Sequence, residues 1–92
     1  MEVPPGRVEQ ISDGGPEAIR ELLAELRAMK FNGLLKTSVV RGETPAEGVL
    51  VLRGGDGVLA EHRSEVEVTG ADAVLEILKD AASEKSRLEV RT

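Results

Sequence analysis

A chain of 92 residues can bury one modest core, and it leaves no room for a deep catalytic cleft beside a separate regulatory unit. Lys and Arg total 12 against 17 Asp and Glu, a formal charge of -5, and basic residues never cluster beyond a pair, so no cationic stripe exists to displace counterions from a nucleic-acid backbone. Phe31 is the only aromatic residue and cysteine is absent, which removes base-stacking platforms, disulfides, thiolate metal sites and a cysteine nucleophile.

The N-terminus, MEVPPGRVEQ, has neither the basic start nor the apolar stretch of a signal peptide, and the longest apolar runs are four residues, as in VLVL. A cytoplasmic protein without membrane contact is the expectation. Abundant Glu, Arg and Val with one Asn and one Gln is a composition common among heat-adapted proteins.

Residues 1–15 read as an arm. Pro4-Pro5-Gly6 and Asp13-Gly14-Gly15 punctuate it, and Val8 to Ile11 between them suit one short edge strand. Residues 16–92 then read as a single α+β domain. Pro16 suits a first helical turn, Glu17 and Glu21 favour the positive end of the helix, and Ile19, Leu22, Leu23, Leu26 and Met29 or Lys30 follow the helical period until Asn32-Gly33 stops it. Leu34 to Arg41 is rich in β-branched residues and predicts a strand, GETPAEG a loop, Gly48 to Arg53 a second strand and Val58 to Arg63 a third. The intervening GGDG, Gly54 to Gly57, tolerates positive φ and suits a hairpin. SEVEVTG leads into a second helix, with Thr69 and Asp72 as a capping-box-like start and Val74, Leu75, Ile77, Leu78 and Ala81 or Ala82 as its buried stripe. LEVRT closes the chain as a strand with Leu88 and Val90 on one face.

The succession FNGLLKTSV, EGVLVLRGGDGVLA, VTGADAVLEIL and RLEV resembles the PATAN domain, named for the N-terminal region of the PatA response regulator, and its small prokaryotic relatives. The residues that carry the likeness are Gly33 and Leu35, then Gly48, Leu50, Leu52, Gly55, Val58 and Ala60, then Gly70, Ala73, Leu75 and Leu78, then Leu88 and Val90. Leu52 departs from the Phe common in that family, and Arg87 from the glycine that often precedes its last strand. The resemblance implies an α+β fold and regulatory protein contacts in prokaryotic signalling; it brings no catalytic residues.

Candidate sites are few. A phosphate-binding loop needs a Lys and a Ser or Thr after its last glycine and then a helix, whereas Val58 begins a strand. His62, the only histidine, stands between Glu61 and Arg63 on a predicted strand, and neighbours on a strand point to opposite faces, so Glu61 and His62 do not converge on one proton or ion. With no triad context, no catalytic residue is assigned; a histidine satisfied near the sheet's end is the expectation. Glu61, Glu65, Glu67 and Asp72 are the candidate cation ligands, since spaced carboxylates gather around calcium or magnesium, but no DxDxDG loop accompanies them and Arg63 interrupts them.

The strands carry apolar residues on both faces. The resemblance places Leu35, Leu50, Leu52, Val58 and Ala60 on the face under the two helices, which leaves Leu34, Val40, Val49, Val51 and Leu59 on the other, where a solvated antiparallel sheet would alternate toward polar residues. Two accounts bury them: the arm folds over through Val3, Val8 and Ile11, or the face meets another protein or a second copy. The sequence therefore predicts a two-layer α+β fold, helix-strand-strand-strand-helix-strand, with an antiparallel sheet of four to five strands and two helices on one face. Its expected role is a non-catalytic, cofactor-free interaction module without nucleic-acid partners. Val49, Val51 and Leu59 would form the centre of the binding surface, with Lys36, Arg53 and Glu61 at its rim. The alternative is a ligand- or divalent-cation-responsive module built on residues 61–72.

Overall fold

Among the described residues six strands and two helices form, in the order β1 (Val8–Asp13), α1 (Pro16–Ala28), β2 (Gly33–Arg41), β3 (Thr44–Arg53), β4 (Asp56–Arg63), β5 (Glu67–Thr69), α2 (Gly70–Ala81) and β6 (Arg87–Arg91). The structure is a computed structural model and describes residues 7–92. One antiparallel sheet runs β1-β6-β2-β3-β4-β5, so β2 to β5 form a meander and β6 returns to lie between β1 and β2. The α+β class agrees with the sequence, but six strands replace the four or five expected, and the order strand-helix-strand-strand-strand-strand-helix-strand replaces helix-strand-strand-strand-helix-strand. The strand added to that expectation is β5: three residues are too few to show a period of two, and its pairing with Glu61 to Arg63 of β4 is what makes it a strand. The arm does supply an edge strand, two residues longer than read.

GETPAEG, expected as a loop, is mostly strand. Gly42 and Glu43 alone make the turn, with Gly42 at φ 63 as the first central residue of a type II′ turn requires, and Thr44 pairs with Arg41 at once. Pro45 is accommodated because β4 pairs with β3 only from Glu47 onward, so no neighbouring strand needs the missing N–H. The second hairpin closes on Gly54 and Gly55, both left-handed at φ 60 and 85, as a type I′ turn demands. That turn also holds α1. Gly55 N donates to Phe31 O, Gly54 N donates to Asn32 Oδ1, and a Cβ on Gly55 would lie 2.7 Å from Arg27 Cα.

One apolar cluster joins Ile19, Leu22 and Leu26 of α1 and Ala73, Ile77 and Ala81 of α2 to Leu35, Leu50, Leu52, Ala60, Leu88 and Val90 of the sheet. Ile77 descends into the gap at Gly48, where a Cβ would lie 2.4 Å from its Cγ1; the glycine is a docking point for α2. The entry to α1 is tied to the exit of α2 through Gly14 N to Ser86 O and Gly15 N to Ala81 O.

Four details of the predicted core are corrected. Val58 is 55% exposed, because Val51 pairs with Leu59 and Leu52 with Gly57, leaving Val58 as the extra residue of a bulge. On α2 the buried residues are Ala73, Ile77, Asp80 and Ala81, and Leu75 and Leu78 face outward, so the stripe is rotated from the one read. Thr69 does occupy the N-cap of α2 but makes no side-chain capping bond. Helix α1 ends at Ala28 instead of Asn32, and Met29 is exposed, since Lys30 adopts a left-handed φ of 51.

Candidate functional site

The strand register maps the face opposite the helices, because residues paired across antiparallel strands point to the same side. One row runs Val8, Arg91, Leu34, Val51, Leu59. The next runs Ile11, Glu89, Lys36, Val49, Glu61, Thr69. The third runs Asp13, Arg87, Ser38, Glu47, Arg63, Glu67. No described helix lies over these rows. The face is therefore apolar along one row apart from Arg91, and mainly polar and charged along the other two.

Of the residues predicted here, Leu34 is buried by its neighbours, Val49, Val51, Lys36 and Glu61 are half-buried, and Leu59 is 54% exposed. Val40, 63% exposed, stands apart at the β2–β3 hairpin opposite Pro45, and Arg53 is exposed at the β3–β4 turn. Val8 and Ile11 do not cover the face. They belong to β1, which extends the sheet in its own plane, and both are exposed. Val3 lies outside the described residues.

Sequence reasoning missed the contribution of β6. Arg87, Glu89 and Arg91 alternate along one side of that strand, a signal visible in RLEVR, but only the insertion of β6 beside β2 places them around Lys36 and Ser38 in one shallow depression. Arg91 Nε donates to Glu89 Oε2 at 2.9 Å. That bond, reinforced by the charges of Arg91, Lys36 and Arg87, holds the Glu89 carboxyl below its ordinary range against the opposing effect of burial.

The acids proposed for a cation do not converge. Glu65 accepts from Thr44 Oγ1 at 3.1 Å, Glu67 pairs with Arg63 at 3.4 Å, and Asp72 sits in the first turn of α2. No group of three potential ligands forms among the described residues.

The strand-parity argument for Glu61 and His62 is realised: Glu61 lies on the face opposite the helices, while His62 points into the core and is 1% exposed. Its Nε2 lies 2.7 Å from Oδ2 of Asp80, itself 4% exposed, and Arg41 Nε donates to the other oxygen at 2.7 Å. Arg41 also reaches Glu76 at 3.4 Å. Burial works against the charge of Arg41, but Asp80 and Glu76 outweigh it and hold the guanidinium above its ordinary value. The sequence carries a trace of this network, because Asp80 falls at helical spacing from Ala73 and Ile77 on the buried stripe of α2, a position at which an acid needs a partner. With both members of the pair sealed from solvent, the arrangement fastens α2 to β2 and β4 and leaves no space for a substrate beside the imidazole.

No helix among the described residues is long and apolar enough to cross a membrane. No curated protein and no solved structure matches the chain. The model of a family described as an uncharacterised protein conserved in archaea (DUF2226) matches residues 1–91, and the chain belongs to that family.

Proposed function

We propose that this member of an archaeal family is a non-catalytic interaction module that binds another protein through the open face of its sheet. The observation that carries the reading is that both helices cover the same side, while the other side presents the half-buried Val51 and the exposed Leu59 in one row across two adjacent strands. Leaving such a row in water forgoes roughly 25 cal/mol for each Å² of apolar surface, which association recovers. The charged rows beside it set register and exclude wrong partners. Enclosure of the only histidine supports association over turnover. The likeness to PATAN domains supports a place among regulatory contacts in prokaryotic signalling.

The test is solvent access in dilute, methyl-labelled protein. A soluble gadolinium chelate should broaden the methyl signals of Val51 and Leu59 and spare those of Leu35 and Ile77. Protection of Val51 and Leu59 at high dilution would mean that the chain covers its own face, and the proposal would end there.

A further inference from the structure

We infer that the first half of β4 is a strand-addition site, where an extended peptide of another protein pairs with the sheet edge and seats one apolar side chain beside α2. The inference goes beyond the open-face reading, since it rests on an edge of the sheet and not on that face. β5 has three residues and pairs only with Glu61, His62 and Arg63, so Asp56 to Ala60 have β3 on one side and no strand on the other among the described residues. The outward backbone groups of this stretch present hydrogen-bond donors and acceptors at the spacing of a strand, and an extended polypeptide matches that spacing. The edge thereby fixes the chemical class of its occupant.

The neighbouring side chains make this edge receptive. Val58 and Leu59 are 55% and 54% exposed, and a groove of about 230 Å³ runs beside them, lined by Leu50 and Ala60 of the sheet and by Ala71 and Val74 of α2. Gly57 keeps Leu50 within reach, because a Cβ there would lie 3.0 Å from Leu50 Cδ1. A cavity of roughly 150 Å³ takes a benzene molecule, so this groove has room for a leucine or phenylalanine side chain. Asp56 opens the stretch, Asp72 follows Ala71 in the first turn of α2, and the chain carries a charge of -5, so the peptide that fits alternates apolar residues with Lys or Arg.

The opposite edge offers less. Glu9, Gln10, Ser12 and Asp13 dominate β1, and charged side chains on an edge discourage pairing. A second copy of the chain also fits β4 poorly. Val58 is the extra residue of a bulge, so two such edges would have to match two irregularities, whereas a free peptide adjusts its dihedral angles to one.

Amide NMR of the isotope-labelled full chain tests this, with a short acetylated and amidated peptide of alternating Lys and Val as the probe. Signals of Val58, Leu59, Ala60, Ala71 and Val74 should shift on titration. The same peptide N-methylated throughout keeps its side chains but loses its backbone donors, and should bind about tenfold more weakly or worse. Ala71→Leu, at an exposed helix position, should fill the groove and weaken binding by about tenfold with an unchanged melting temperature. Equal affinity for the N-methylated peptide overturns strand addition, and full affinity in Ala71→Leu overturns the groove as the seat of the side chain. Shifts confined to β1 overturn the choice of edge. Shifts at Val49 and Val51 without Val58 or Ala60 overturn the site and leave the open-face reading standing. Signals of Val58 to Ala60 that move with protein concentration alone make a second copy the occupant and overturn the peptide. No shift at millimolar peptide overturns the site altogether.

Discussion

His62 Nε2 on β4 and Asp80 Oδ2 on α2 meet at 2.7 Å with both side chains almost wholly removed from water, so a polar contact joins the two layers inside the apolar core. Arg41, at the end of β2, completes the pairing from the rim.

Asp80→Ala should therefore be the most costly polar truncation in the chain. It strands a buried imidazole and the Arg41 guanidinium, a situation that costs roughly 3 kcal/mol, or about 12–24 °C in Tm for a protein of this size. Arg41→Met removes only the partly exposed partner, 37% accessible, and should cost about 1 kcal/mol or less. Urea denaturation followed by circular dichroism measures both. Equal costs would show that Asp80 behaves as a surface acid.

Thr37 lies beside this region, and its Oγ1 is buried with no hydrogen-bond partner among the described residues. An unpaired buried hydroxyl costs about 1–3 kcal/mol, so Thr37→Val, which keeps the shape and removes the oxygen, should leave stability unchanged or raise it by about 1 kcal/mol. A loss above 1 kcal/mol in the same assay would reveal a bond to that hydroxyl.

The two turn glycines make a matched comparison. Gly54 and Gly55 share positive φ, but a Cβ on Gly54 meets open space, whereas one on Gly55 meets the backbone of Arg27 and Leu26. Gly54→Ala should cost about 1–2 kcal/mol from backbone strain alone. Gly55→Ala should cost more, because α1 must also retreat. The difference is read from thermal melts of the two variants, and equal melting temperatures would refute a close seat for α1 on this turn.

Glu89 sets an acid-side expectation. Its folded-state pKa lies below the ordinary value of 4.5 because Arg91 binds the charged form, so the unfolded chain takes up the proton first. The stabilisation is fully present above about pH 4.5 and is lost as pH falls through the depressed folded value. Glu89→Gln should be less stable than wild type at pH 7 and should lose less stability than wild type between that pH and pH 3. Parallel stability-pH curves would remove Arg91 as the cause.

How much of this was legible in the chain follows the range over which each feature is determined. Helix and strand identity for most elements follows from near neighbours: the β-branched run of β2, the spacing of Ile19, Leu22 and Leu26, and the paired glycines of the β3–β4 turn specify local dihedral angles directly. Strand parity separated His62 from Glu61 for the same reason, because alternation needs no knowledge of the partner strand.

Tertiary structure decided the rest. Asp80 lies 18 residues from His62 and 39 from Arg41, and nothing in the local spacing announces either meeting. The three residues of β5 are a strand only because β4 offers them hydrogen bonds, and Val58 leaves the core only because one extra residue enters that strand against β3. Leu75 and Leu78 face outward because Ile77 seats at Gly48 and sets the rotation of α2. Most consequential for the open face, β6 carries Arg87, Glu89 and Arg91 to the side of Lys36 by entering between β1 and β2. Local propensity determines what each segment becomes, since it acts through adjacent dihedral angles. Which segments become neighbours depends on burying one shared core, a property of the whole chain.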